Sequence, residues 1–331
     1  MRVDGESGNV QKERIDAMNE HRAGVPDGTA GPDRTALATV EPYIRAPLAY
    51  RGKVREMYDL GDHWLMAVTD RISAFDVVLE PPIPGKGAVL GRLSAFWFER
   101  TGHLQANHMV HADASRLVRD GVIAEADLPL LDGRLMVCRK AERIGIECIV
   151  RGHLSGGGWR QYEATGAVNG IRLPAGLRKN ERLPEPLFTP AVKRDAGHDE
   201  DVPFEDVRRM IGSRLADELR ERSLALYRFG SEWCAARGIV MADCKMEFGL
   251  IGGGIVLIDE LFTPDSARFW PADIDAAGKD VDSLDKEPVR RFLAASGKRH
   301  DGGFPPLPAH VVRDTSLRYE EIWRRITQAG A

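Results

Sequence analysis

Two short apolar runs flank a glycine-rich turn near residue 253, and their pattern predicts a β-hairpin. The first run alternates between polar and apolar residues, which is typical of a half-buried strand. The polar face of this strand carries Asp243, Lys245 and Glu247, and the apolar face carries Cys244, Met246 and Phe248. A turn centred on Gly253 pairs Glu247 with Asp259, so we expect these two carboxylates to lie side by side on neighbouring strands.

Hydrophobic patterns elsewhere predict further strands and helices along the chain. Apolar runs predict a hairpin over 51–69 and strands over 134–140 and 144–151. Helical spacing predicts helices over 90–103, 203–238 and 311–329, and a glycine cluster at 152–158 leads into a helix at Trp159. Residues 1–40 have no apolar periodicity, so we expect a disordered extension there.

Composition narrows the class of protein. The 331-residue chain has a formal net charge of −4, so we expect neither a nucleic-acid partner nor an anionic membrane. Its four cysteines form no C-x-x-C pair, which predicts buried reduced thiols in a cytoplasmic protein. No apolar run is long enough to span a membrane. These features are ordinary for a soluble globular enzyme, and they leave open whether it is a monomer or a homo-oligomer.

The predicted pair of acids on the hairpin suggests a metal site. Two carboxylates opposite each other in a sheet repel and weaken the pairing by some tenths of a kcal/mol. A divalent cation between Glu247 and Asp259 removes this repulsion, and Mg²⁺ favours one or two carboxylates together with phosphate oxygens. The alternative is a solvated hairpin whose charges face water. The charges lie inside runs that otherwise look buried, which favours a metal–phosphate site that Lys245 can also reach.

Two glycine-containing segments have the chemistry of anion sites. Gly52 allows the backbone to approach a ligand closely, and Lys53 and Arg55 point to one side of the strand, which suits a polyphosphate. A basic edge strand explains the same residues equally well. The glycine cluster before Trp159 offers free N–H groups to an anion at a helix N-terminus.

Two histidine-containing features have simpler explanations than a functional site. An acidic segment follows the proline-rich residues 183–190, and it contains His198, Asp199 and Asp201. These three residues are conceivable metal ligands, but a solvated acidic loop is the simpler interpretation. His153 has no obvious partner in the sequence, so we interpret it as structural.

Several motifs occur in the order found in one enzyme family. They are Arg51-Gly52-Lys53-Val54-Arg55, Thr69-Asp70-Arg71-Ile72-Ser73-Ala74-Phe75-Asp76, Phe188-Thr189-Pro190, and the segments 146–152, 243–249 and 259–270. Across residues 45–325 the chain resembles the SAICAR synthetases (phosphoribosylaminoimidazole-succinocarboxamide synthases) of purine biosynthesis. The resemblance implies a two-lobe, ATP-grasp-like α+β fold with a kinase-like N-terminal lobe. It also implies a β-rich nucleotide-binding lobe over 41–140 and an α+β lobe with the substrate and metal site over 141–331.

The resemblance further implies an ATP-dependent ligase, which joins the amine of L-aspartate to a carboxylated aminoimidazole ribonucleotide through an acyl phosphate. ATP and Mg²⁺ are the implied cofactors, and the metal ligands are Glu247 and Asp259. The implied catalytic residues are Lys245, Asp243 and Lys193. The implied nucleotide-binding residues are Arg51, Gly52, Lys53, Val54, Arg55, Met136, Val137, Cys138, Glu247 and Asp259. The implied substrate-binding residues are Asp76, Lys86, Glu147, Arg151, Ser155, Asp199, Asp265 and Arg268, with the two arginines on the ribose phosphate.

Some residues depart from the family pattern. Gly157 stands where the family has a serine that helps to hold phosphate, and Cys244 stands where it has threonine. Because the ATP-handling residues match, a second hypothesis is a diverged paralogue that uses the same chemistry on another acid or amine, for example in nucleoside-antibiotic biosynthesis. A third hypothesis is a nucleotide-binding protein without catalysis, which the retained Lys245, Glu247 and Asp259 disfavour.

Overall fold

The computed structural model of this protein describes residues 35–75, 77–193, 200–297 and 303–328. Two of the predicted substrate residues, Asp76 and Asp199, lie outside these described residues, as does His198. The expected extension over 1–40 also falls almost entirely outside them. The elements below are those found within the described ranges.

An antiparallel sheet forms most of the N-terminal third of the described chain. Its strands lie in the order β1-β2-β3-β7-β6, and β4 and β5 form a separate hairpin. The predicted turn between β2 and β3 is present, with Gly61 at a φ of +80°. The strands are β1 (Leu48–Arg51), β2 (Arg55–Asp59), β3 (His63–Val68), β4 (Ile72–Ala74), β5 (Val77–Leu79), β6 (Met109–His111) and β7 (Leu135–Arg139).

A second, larger antiparallel sheet carries the polar face predicted from the sequence. Two long strands form its centre, β8 (Glu142–His153) and β14 (Ile239–Ile251), and they pair directly with each other. Around them lie β11 (Arg182–Phe188), β12 (Ala191–Val192), β13 (Glu200–Asp201), β15 (Gly254–Ile258) and β16 (Ala267–Pro271). A small hairpin of β9 (Ala167–Val168) and β10 (Ile171–Arg172) stands apart.

Helices pack on both sheets and confirm most of the sequence prediction. They are α1 (Lys86–Thr101), α2 (Ala114–Arg119), α3 (Leu128–Leu131), α4 (Gly156–Thr165), α5 (Phe204–Ile211), α6 (Ser213–Ala235), α7 (Glu287–Ser296) and α8 (Ala309–Thr327). The single helical pattern over 203–238 is divided into α5 and α6, because Gly212 takes a non-helical conformation with φ of +85°. Among the described helices, none is both long and apolar enough to cross a bilayer.

The alternation predicted along β14 is confirmed by its burial. Cys244, Met246 and Phe248 are at most 1% exposed and belong to the main hydrophobic core. Helix α6 covers this apolar face of the sheet and packs directly on β14. All four cysteines are buried and unpaired, as predicted. The polar face is thereby turned toward the opposite side of the sheet.

The predicted register of the β14–β15 hairpin is wrong by one residue. Ile251 pairs with Gly254, so Glu247 lies opposite Ile258 and not opposite Asp259. The reason is a two-residue turn in which Gly252 and Gly253 both have positive φ, at +57° and +80°. The acid that does lie opposite Glu247 in the sheet is Glu147 of β8, on the other side of β14.

Candidate active site

A cavity of about 210 Å³ lies over the polar face of β14. Five predicted site residues line it: Arg151, Asp243, Lys245, Asp265 and Arg268. Strands β8, β14 and β16 bring three of them together, because Asp243 is the cross-strand neighbour of Arg151 on one side and Arg268 on the other. Further lining comes from Ile149, Gly157, Cys244, Ser266, Ala267 and Arg290. The structure thus gathers residues that are more than 100 positions apart in the chain.

A buried carboxylate organises two of the cavity arginines, Arg151 and Arg268. Asp243 Oδ2 lies 3.5 Å from Arg151 Nη1, and it also accepts hydrogen bonds from Arg268 and from Ser155 Oγ, the latter at 2.9 Å. Burial raises the pKa of Asp243, but the charges of Arg268 and Arg151 outweigh it and hold this pKa below its ordinary value. Arg151 is also oriented through Nε, which donates to Thr189 Oγ1 at 3.0 Å. Two guanidinium groups are therefore fixed around one ionised acid.

The glycine cluster at the start of α4 makes room for these arginines. Gly156 has a φ of +54°, and a Cβ there would lie 2.3 Å from Arg268 Nη2. A Cβ at Gly158 would lie 3.0 Å from Arg151 Cδ. A side chain at either position would therefore displace a cavity arginine. The glycine cluster, predicted from the sequence only as an anion site, therefore also has a packing role that the sequence did not indicate.

A second cluster of charges surrounds Lys245. Its Nζ lies 2.7 Å from Glu247 Oε1 and 3.1 Å from Glu147 Oε1, and Lys193 Nζ lies 2.8 Å from Glu247 Oε1. Burial alone raises the pKa of Glu247, but the two lysines lower it to about 2. Burial lowers the pKa of Lys245, yet Glu247, Glu147 and Asp259 together raise it well above its ordinary value. Lysines thus neutralise the like-charged pair Glu147–Glu247 across the sheet.

Asp259 lies just beyond the end of β15 and has a left-handed φ of +66°. Its Oδ1 is 3.0 Å from Arg55 Nη1, while Arg55 Nη2 is 2.7 Å from Glu260 Oε2. Asp259 also acts electrostatically on Lys245, which Glu247 contacts directly. The two predicted metal ligands are therefore near one another without being cross-strand partners.

The carboxylates of this region fit Mg²⁺ as part of a shell that phosphate oxygens and water would complete. Within the described ranges, no group of three or more histidine, cysteine or acidic residues is arranged to hold a metal ion by itself. Glu247 and Asp259 supply two carboxylates, which is the number that Mg²⁺ takes from a protein when phosphate oxygens and water complete its shell. Both carboxylates are paired with cations in this structure, by Lys193 and Lys245 for Glu247 and by Arg55 for Asp259.

The predicted nucleotide-binding residues of the N-terminal sheet divide into two groups. Val54, Met136 and Cys138 are buried in the main core cluster, whereas Val137 belongs to the cluster on the opposite face of β7. Arg51 forms ion pairs with Glu41 and Glu56, and Gly52 and Lys53 lie in the loop between β1 and β2. Of the predicted set, Arg55 reaches the C-terminal sheet most directly, through its pair with Asp259.

Asp265 and Lys86 form a further buried pair at the cavity. Asp265 Oδ2 lies 2.8 Å from Lys86 Nζ, and Lys86 is fully buried. Sequence reasoning missed Arg290 of α7, which lines the cavity and pairs with Asp285 at 3.1 Å. No local pattern in the sequence marks Arg290 as a residue that lines a cavity.

Comparison with known proteins gives a consistent result over most of the chain. A family model described as SAICAR synthetase matches residues 48–305. The phosphoribosylaminoimidazole-succinocarboxamide synthase of Desulfosudis oleivorans is 45% identical over 278 residues, covering 83% of this chain and 93% of that protein. The enzyme of the same name from Thioalkalivibrio sulfidiphilus is 45% identical over 287 residues, covering 86% and 96%.

Solved structures of SAICAR synthases are also similar to this chain over most of its length. The SAICAR synthase of Saccharomyces cerevisiae complexed with SAICAR superposes with a TM-score of 0.76 at 34% identity, over 86% of this chain and 96% of that one. A SAICAR synthetase in complex with ADP gives a TM-score of 0.62 at 26% identity, over 85% and 98%. The predicted α+β fold is confirmed by these likenesses.

Proposed function

The chain belongs to the SAICAR synthetase family, and from that premise we propose how its residues carry out the family's reaction. It is an ATP-dependent carbon–nitrogen ligase of purine biosynthesis, which forms an amide between a carboxylated aminoimidazole ribonucleotide and L-aspartate. The observation that carries this function is the 45% identity to the phosphoribosylaminoimidazole-succinocarboxamide synthase of Desulfosudis oleivorans, over 83% of this chain. Nothing in the comparisons favours the diverged paralogue.

The reaction needs an activated acid, since a free carboxylate is a poor electrophile. A carboxylate oxygen attacks the γ-phosphorus of ATP, and the bond from that phosphorus to the β–γ bridging oxygen breaks, which releases ADP. The amine of aspartate then attacks the acyl carbon, inorganic phosphate leaves, and the nitrogen loses a proton. Both steps depend on positioning and charge neutralisation. The basic side chains that line the cavity are proposed to provide this positioning and neutralisation; they are Arg151, Lys245, Arg268 and Arg290.

Arg151 and Arg268 are the proposed ligands of the ribose phosphate. Both guanidinium groups border the cavity, and Asp243 fixes their position through ion pairs. A guanidinium can hold phosphate through two parallel hydrogen bonds, which is the contact a phosphorylated substrate needs. Asp243 and Asp265 are further proposed to orient polar groups of the substrates, because both carboxylates line the same cavity.

Lys245 and Lys193 are proposed to stabilise the transferred phosphoryl group. In this structure both ammonium groups bind Glu247, and Lys245 also lies on the cavity wall. The ammonium of Lys245 is therefore close to the carboxylates of Glu147 and Glu247 and also to the cavity proposed to hold the substrate. Its raised pKa keeps it charged at neutral pH, so it can bind phosphoryl oxygens without a proton transfer.

Mg²⁺ is proposed to bind at Glu247 and Asp259 together with the phosphates of ATP. When bound, it would neutralise charge on the transferred phosphoryl group. Asp259→Asn should abolish Mg²⁺-dependent ADP release, because the amide is a weaker ligand for a hard cation than the carboxylate. Asp273→Asn, on the exposed surface, is the matched control. An unaffected rate in Asp259→Asn would remove Asp259 from the metal site.

The function is tested by offering the purified protein ATP with the aminoimidazole carboxylate and aspartate, and measuring ADP and amide product. Parallel reactions replace either the acid or the amine with an analogue. We expect turnover with the purine substrates and at least tenfold less with the analogues. Turnover with another acid alone would instead support the paralogue, and ATP binding without turnover on any acid would support a non-catalytic role.

A cytoplasmic location is also proposed, supported by four buried thiols that form no disulfide. The proposed partners of the protein are small molecules. The protein itself is proposed to act as a monomer or a homo-oligomer.

A further inference from the structure

A tyrosine of the last described helix reaches the wall of the substrate cavity. Tyr319 of α8 is fully buried, and its hydroxyl donates a hydrogen bond to Oδ1 of Asp265. Asp265 lies 54 residues earlier, in the segment between β15 and β16, and lines the cavity. Tyr319 itself is not among the residues that line this cavity. It therefore acts on the site through Asp265 and not by touching substrate.

Lys86 holds the other oxygen of the same carboxylate. Its Nζ forms an ion pair with Asp265 Oδ2 at 2.8 Å, and it makes no hydrogen bond within the part of the chain that the structure describes. Lys286 Nζ is more distant, at 4.0 Å from Oδ1. Lys86 belongs to α1 and Tyr319 to α8, and these two helices pack against each other. The first and the last α-helix of the described chain thus contact the same carboxylate, one at each of its oxygens.

Packing alone does not require the hydroxyl of Tyr319. Helix α8 is already anchored by Val311, Ile322 and Ile326, which are at most 5% exposed. A phenylalanine at position 319 would fill the same volume in the core. The hydroxyl instead donates a hydrogen bond to Asp265, an acid that lines the cavity. A buried hydrogen bond to a charged group is stronger than one between neutral groups. This hydrogen bond therefore points to a role at the site.

We propose that Tyr319 is a positioning residue for the ligase reaction, holding the Asp265 carboxylate with Lys86 in one orientation toward the cavity. This inference rests on the function proposed above. A carboxylate has about four lone-pair sites, of which Tyr319 and Lys86 use two. The remaining sites are left to accept hydrogen bonds from a substrate. A fixed acceptor loses little freedom when the substrate binds, which favours the reactive arrangement.

The electrostatics agree with an acceptor role for Asp265. Burial raises its pKa, but the charges of Lys86 and Lys286 and the hydrogen bond from Tyr319 lower it well below its ordinary value. The group is therefore an ionised acceptor at neutral pH and not a proton donor.

A double-mutant cycle tests this inference. The variants are Tyr319→Phe, Asp265→Asn and the two combined, each assayed for kcat and KM of the ligation and for binding of the aminoimidazole carboxylate by calorimetry. Tyr58→Phe is the matched control, since Tyr58 is also fully buried and donates to a carboxylate, that of Glu56, at 2.8 Å. We expect Tyr319→Phe to lower kcat/KM by roughly tenfold, with Tyr58→Phe below twofold.

The decisive result is non-additivity. If Tyr319 acts through Asp265, Tyr319→Phe should have little further effect on binding or kcat/KM once Asp265 is asparagine. Equal effects of Tyr319→Phe in both backgrounds, or a loss no larger than that of Tyr58→Phe, would overturn the inference. A wild-type protein that binds ATP but forms no amide would overturn the proposed function instead, so the two failures are distinguishable.

Discussion

The charged side chains of this site work in groups whose members neutralise one another. Asp243 joins Arg151 and Arg268, and Glu247 joins Lys193 and Lys245. A buried charge left without its partner is strongly destabilising, so the loss of one member of a group destabilises the rest of that group. Individual replacements at the cavity will therefore change both the substrate contacts and the positions of neighbouring side chains. A single change is simplest to interpret when it adds or removes an atom without leaving a charge unpaired.

Gly157→Ser is such a change. A Cβ at this position would lie 3.8 Å from Arg151 Nη2, which is an ordinary contact, and the position borders the cavity. The added hydroxyl can bind phosphate, and one neutral hydrogen bond contributes about 0.5–1.5 kcal/mol. We expect KM for the phosphorylated substrate to fall roughly two- to tenfold, measured by steady-state kinetics. Gly157→Ala is the control, and an equal change in both variants would rule out the hydroxyl.

Elements of the larger sheet decide where these groups meet. Strand β14 contributes Asp243, Lys245 and Glu247 at successive positions on one face, and its neighbours β8 and β16 bring the opposing charges into register. The β14–β15 hairpin adds Asp259 at its far end. Its two-residue turn requires positive φ at both glycines, and this turn sets the register of the hairpin.

Gly253→Ala tests the cost of that turn. A Cβ at Gly253 meets nothing within 4 Å, so its effect is backbone strain alone, at a φ of +80°. We expect a loss of about 1–2 kcal/mol in the free energy of unfolding, measured by urea denaturation. Gly145→Ala is the control, because Gly145 is also free of contacts but has ordinary backbone geometry. Equal stability of the two variants would contradict the assigned turn.

At the scale of the whole molecule, the buried His108 and the half-buried His153 link stability to pH. Burial lowers the pKa of His108 to about 4, and burial with the charge of Arg182 lowers the pKa of His153 to about 4. His108 lies against the Phe98 ring and His153 against that of Trp270. The contact with Trp270 is compatible with the structural role predicted for His153 from the sequence. Because the unfolded chain binds these protons more readily, the folded state is favoured most above pH 6.5.

The free energy of unfolding should therefore fall as pH decreases from about 6.5 toward 4, by at most about 1.4 kcal/mol per pH unit for each histidine. His153→Asn should reduce this slope, measured by urea denaturation at several pH values. His310→Asn, at an exposed position, is the control. The same slope in both variants would show that His153 is not protonated on unfolding.

The amino-acid sequence by itself determined which side chains share a face of each strand. Alternation is a local property of extended backbone, so Asp243, Lys245 and Glu247 were placed together correctly. The ordered motifs likewise identified the family, since they retain the residue types that the reaction needs. Arg290 escaped this reasoning because nothing local marks a helical arginine as lining a cavity.

Only the tertiary structure decided which of these side chains meet. The register of the hairpin followed from the conformation of Gly252 and Gly253, which a count from the centre of the turn cannot supply. Opposite Glu247 in the sheet stands Glu147, an acid 100 positions away, and Tyr319 reaches Asp265 from the last described helix. Such contacts depend on how whole elements pack, because their free energy is gained only when distant segments are brought together.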